Sequence, residues 1–121
     1  MDFQAILKQL VASVPQSVAA TLMGYDGIAV STATPDEQKS DLDSSSLLVE
    51  YSSLLVQIKE AAKMFNSGDI KEVMISTERL TVILRVLTEE YFTALVLTPD
   101  ANIGYGRYKL RVISPKLAAE L

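Results

Sequence analysis

The chain has 121 residues, enough for one domain to bury a core without disulfide or metal staples. Hydrophobic residues make up 49% and charged residues 21%, too apolar for a disordered chain, and a net charge of −4 withholds the basic surface that a grip on nucleic acid needs. With no cysteine and no histidine, disulfide frameworks, thiolate chemistry and Ser-His-Asp or Cys-His nucleophile systems are excluded, and the commonest metal ligands are missing.

Residues 1–10, MDFQAILKQL, lack the basic region and continuous apolar block of a signal peptide, and no apolar run approaches a membrane span. The expectation is a soluble cytoplasmic protein without membrane insertion. Phe3, Ile6, Leu7, Leu10, Val11 and Val14 follow helical spacing, with Asp2 as cap and Pro15 as stop. Residues 17–23 and 28–32 are apolar and β-branched, and they flank the turn pair Asp26-Gly27, so they predict a hairpin. Tyr25 then rides near the hairpin tip with little core within reach. Two readings stand open: Tyr25, Asp26 and Ile28 form an aromatic anchor with a polar rim for a protein partner, or Tyr25 folds over its own sheet edge while Ile28 packs inward.

Residues 33–43, ATPDEQKSDLD, predict an acidic loop. A second helix opens at Asp41 or Asp43 and closes at Asn66-Ser67-Gly68. Within it Leu47, Tyr51, Leu54, Ile58, Ala61 and Phe65 make one apolar seam suited to a core, widened by Leu48, Leu55 and Ala62. Val49 and Val56 add a further apolar column, more than one sheet face uses.

Three strands follow, over residues 70–77, 80–87 and 91–98, joined by short polar turns. In the first, Val73 and Ile75 share a face opposite Glu72 and Met74. The second, LTVILRVL, is apolar on both faces and is the candidate for the central strand. The last segment is helical through Ile103, Leu110 and Ile113, and Ser114-Pro115 predicts a cap and a short new turn there. The fold class is α/β: one domain over residues 1–121 with a five-stranded antiparallel sheet, helices on both faces and the order α-β-β-α-β-β-β-α.

Chemistry is sparse. The run GYGRYK around Gly104 lacks the spacing of a phosphate-binding loop. The acid pairs Asp36-Glu37, Asp41/Asp43 and Glu89-Glu90 fall in turns and helix starts, where solvated acids are commonplace. No catalytic, cofactor-binding or metal-binding residue is expected. Arg107, Lys109, Arg111 and Lys116 either line the solvated face of the last helix or grip an acidic partner.

The order of elements, the stretch VAATLMGYDGIAVST, the acidic loop before LLVEYSSLLVQIKEAAK, and Asn102, Gly104 and Arg107 in an N-x-G-x-x-R element resemble the Roadblock, or dynein light-chain, family, whose fold is profilin-like. The resemblance covers essentially the whole chain. It points to the bacterial members that regulate a small Ras-like polarity GTPase in gliding bacteria, to the MglC-like subgroup more than the longer MglB-like one, since the chain stops at Leu121.

The resemblance implies a homodimer in which long helices pair antiparallel and the first meander strands join edge to edge, with Leu48, Val49, Leu55, Val56, Val73 and Ile75 at the interface. It implies a non-catalytic adaptor that binds other regulators of the GTPase system and is recruited to cell poles through them. The alternative is a GTPase-activating, MglB-like subunit that repositions the GTPase's own residues. A small-molecule sensor ranks third.

Overall fold

A computed structural model describes residues 2–35 and 44–121. Its elements run α1 (Phe3–Ser13), β1 (Ser17–Gly24), β2 (Ala29–Ala33), α2 (Ser44–Met64), β3 (Glu72–Ser76), β4 (Thr81–Val86), β5 (Tyr91–Leu97) and α3 (Ile103–Ala119), the order the sequence predicts. Asp2 caps α1 as expected, its carboxylate accepting from the Ala5 N–H at 2.7 Å. The loop expected over residues 33–43, its acid pairs and the Asp41 or Asp43 cap of α2 lie outside the described residues from position 36 onward. The other end of α2 closes at the expected signal. Asn66, at φ 56°, turns the chain so that Ser67 and Asn66 donate to the Ala62 and Lys63 carbonyls at 3.1 and 3.2 Å, a Schellman cap.

All five strands pair antiparallel in the order β2-β1-β5-β4-β3. The middle strand is therefore β5, and the expectation that residues 80–87 hold the centre is corrected. The reason is long-range: β1 pairs along β5 from Ser17↔Leu97 to Gly24↔Tyr91, so the N-terminal hairpin docks on the far edge of the meander. Every residue of β5 from Phe92 to Leu97 is buried, whereas β4 loses its cover at Arg85 and Val86, one strand from the open edge.

Alternation along β5 feeds two cores. Leu95 and Leu97 point to α1 and α3, where Leu7, Leu10, Leu110 and Leu117 join them. Phe92, Ala94 and Val96 point to α2 and meet Leu48 and Leu55. Each fully buried leucine or phenylalanine contributes about 1.5–3 kcal/mol relative to exposure.

The break expected at Ser114-Pro115 does not occur, and α3 runs through it. Leu110, Ile113 and Leu117 hold one buried stripe across the proline, Pro115 itself faces solvent, and the Ser114 hydroxyl donates to the Leu110 carbonyl at 2.7 Å. Packing of that stripe outweighs the hydrogen bond that proline lacks.

Candidate interaction surface

The residues of α2 that reach the sheet are Leu48, Ser52, Leu55 and Ala62. The seam expected to be core is turned away from it: Leu54 is 46% exposed, Ile58 37% and Phe65 78%, with Ala61 exposed and Leu47 and Tyr51 half-buried. The two columns lie about 100° apart around the helix, so spacing fits both equally. The column that turns inward is the one whose Leu48 and Leu55 join Phe92, Ala94 and Val96 in the core, with the small side chains of Ser52 and Ala62 buried on the same face. Ser52 stays satisfied by donating to the Val49 carbonyl at 2.6 Å.

This rotation corrects part of the expected dimer set. Leu48 and Leu55, each 1% exposed, belong to the chain's own core and offer no surface. Val49 is 45% exposed and Val56 half-buried, on the flank of α2 that meets the hairpin tip. A Cβ on Gly27 would stand 3.3 Å from Val49 Cγ1 and 3.5 Å from Ser52 Oγ, which fixes that contact. The opposite flank, with Leu54 and Ile58, faces the β4–β3 side, where Val73 and Ile75 are half-buried on the α2 face of the edge strand.

At the tip, Gly27 takes φ +84°, a value that leaves glycine the natural occupant. The Asp26 carboxylate accepts from the Ile28 N–H at 3.0 Å, and Gly27 N–H donates to the Gly24 carbonyl at 3.0 Å. Tyr25 has a seat that sequence reasoning missed. Its ring centroid lies 5.4 Å from that of Phe92, its hydroxyl donates to the Thr88 carbonyl at 3.3 Å, and Lys59 Nζ sits 3.9 Å from the ring centroid. Burial pushes the phenol pKa up from 10.0 to about 12. Ile28, in contrast, is 66% exposed and Val30 46%. The second reading thus holds for Tyr25, which folds over its own sheet, and not for Ile28, which does not pack inward. No sequence signal links Tyr25 with Phe92 or Lys59, which lie 67 and 34 positions away.

Of the expected C-terminal cations, Arg107 pairs with Glu72, while Arg111 and Lys116 are exposed and Lys109 is half-buried. Glu89 and Glu90 are exposed in the β4–β5 turn, as the solvated reading has it. Among the described residues no group of acidic, histidine or cysteine side chains could hold a metal ion, and no helix is long and apolar enough to cross a membrane.

A five-stranded antiparallel sheet with α1 and α3 on one face and a single, partly bare helix on the other defines a Roadblock-type α/β domain. The Roadblock/LC7 domain model matches residues 4–98, and the chain belongs to that family. The structure of MglC from Myxococcus xanthus is 40% identical over 100% of both chains, with a TM-score of 0.73. A Roadblock/LC7 domain from Streptomyces avermitilis superposes with a TM-score of 0.82 at 19% identity, covering 99% of this chain and 98% of that one. The gliding protein MglB from Thermus thermophilus gives 0.84 at 16% identity, over 95% of this chain and 84% of its own. The likeness to the last two shows the fold; the identity with MglC bears out the subgroup that the sequence resembles. None of the curated proteins matches the chain.

Proposed function

We propose that the chain is a non-catalytic homodimeric adaptor that regulates a Ras-like GTPase polarity or motility system by binding other regulators. The observation that carries this reading is the apolar stripe of Leu54 and Ile58 on α2, continued by Phe65 just past its end, left open beside the unpaired edge of β3. An exposed apolar stripe next to an unpaired edge is a hazard for a monomer and an interface for a pair. A second copy covers both at once, by helix pairing and by strand joining through Glu72–Ser76. Val49 and Val56, on the opposite flank beside the hairpin tip, lie outside that contact.

The hairpin tip, with Asp26 and Ile28 turned outward and Tyr25 bracing them from behind, then remains free for a second regulator. The MglC relationship supports a place for these contacts in a polarity system. The test is twofold. Replacing Asp26 and Ile28 with alanine is expected to abolish binding to a purified MglB-like activator while the chain melts like wild type. With a cognate GTPase and GTP alone, the protein leaves the hydrolysis rate essentially unchanged; a large, saturable acceleration would establish the activating reading in its place.

A further inference from the structure

On the sheet face that carries α1 and α3, remote from α2, a groove follows α3 where β4 emerges from under it. Its first stretch is a cleft of about 180 Å³ whose lining includes Glu72, Arg85, Arg107 and Arg111. A second cleft of about 260 Å³ shares Arg85 and Arg111 and ends against Leu87 and Pro115. Arg85 stands opposite Glu72 in the β3–β4 ladder, half-buried on the groove floor, and Arg107 and Arg111 sit one turn apart on α3. Glu72 holds Arg107 with two prongs, Nη2 2.5 Å and Nε 3.1 Å from the same oxygen. Among the described residues no acidic side chain pairs with Arg85 or Arg111. Two uncompensated guanidinium groups therefore meet in one groove on a chain whose net charge is −4.

The shape of the groove selects its occupant. From Gly104 to Ala118 it follows α3 for about 21 Å, a length for an extended chain and not for a single ion. The helix N–H groups of Tyr105 and Gly106 are already taken by Asn102, so they do not cradle a phosphate. Guanidinium forks match carboxylates two oxygens at a time, and the apolar end at Leu87 and Pro115 suits a flanking aliphatic side chain. We propose that this groove binds an acidic segment of a protein partner, a run of Asp or Glu residues whose carboxylates pair with Arg85 and Arg111 while Arg107 stays locked to Glu72. The site is independent of the α2 surface and of the hairpin tip.

The test is fluorescence anisotropy of a labelled oligoglutamate peptide with the full chain. Wild type is expected to bind it, more weakly as sodium chloride is raised. Arg85→Gln with Arg111→Gln is expected to lower the affinity by about tenfold or more, whereas Arg79→Gln, an equal charge change in the exposed β3–β4 turn, leaves it nearly unchanged. Should the double variant melt below wild type, Arg111→Gln alone, on the exposed face of α3, carries the comparison with an expected loss of about threefold. No binding by wild type, an equal loss in Arg79→Gln, or no loss in the groove variants overturns the proposal. So does displacement by inorganic phosphate as effective as that by unlabelled peptide, which would mark a small-anion site.

Discussion

One face of the sheet is roofed by α1 and α3 lying side by side, while α2 alone covers the other, and the two faces end up with different duties. Five strands about 4.8 Å apart span about 19 Å between the outermost, and a single helix is about 10 Å across. Two helices therefore finish most of a roof, leaving the β3 edge with Met74 47% exposed beyond it, and one helix covers still less. On the α1–α3 side Leu7, Leu10, Leu95, Leu97, Leu110 and Leu117 are no more than 1% exposed. On the α2 side the core is dry beneath the helix, yet Leu54, Ile58, Val73 and Ile75 remain open or half-open along its β3 flank. The face under two helices holds the larger buried core, and the face under α2 alone leaves apolar surface open.

The sharpest way to break that contrast is a pair of truncations. Leu95→Ala, on the face under two helices, is expected to cost about 2–5 kcal/mol in urea unfolding, and Ile58→Ala, measured in dilute protein, under about 1 kcal/mol. Equal losses would mean that the α2 flank is already core. A smaller effect belongs to Gly27→Ala. The new side chain would meet Val49 at a φ that alanine resists, lifting the hairpin tip from α2 at a cost of about 1–2 kcal/mol.

Tyr25→Phe removes one hydrogen bond to the Thr88 carbonyl and is expected to cost about 1 kcal/mol or less. Its pH signature is more specific. Well below pH 10 the phenol is neutral whether the chain is folded or not; from near 10.0 to about 12 the unfolded chain ionises first, so stability falls as pH rises through that window. Tyr25→Phe is expected to lack this component of the alkaline loss, as denaturant unfolding at a series of pH values would show. The smallest expected change in fold stability comes from Val49→Glu with Val56→Glu on the tip flank, within about 1 kcal/mol, and self-association is expected to persist, since that flank lies opposite the one beside β3.

Local features of the fold were legible because their causes are local. Asp2 before an apolar stripe, Asp26-Gly27 between two β-branched runs, and Asn66-Ser67-Gly68 after a long helix each state their own geometry, and each turn stands where the sequence predicts it. What eluded the sequence depends on neighbours far along the chain. Which strand is central depends on β1 finding β5, and which apolar column of α2 faces inward depends on the β4 and β5 side chains that Leu48 and Leu55 join. Pro115 misled because a proline normally marks a boundary, and only the buried Leu117 beyond it shows that packing carries the helix through. The hairpin tip was half legible: the turn was evident, but the seat of Tyr25 on Phe92 was not.

The central claim, that the bare flank of α2 and the edge of β3 are where a second copy sits, is tested most directly by sedimentation equilibrium at micromolar concentration. Wild type is expected to sediment as a dimer and Leu54→Glu with Ile58→Glu as a folded monomer. A wild type that remains monomeric, or a charged double variant that still forms the dimer, would contradict it.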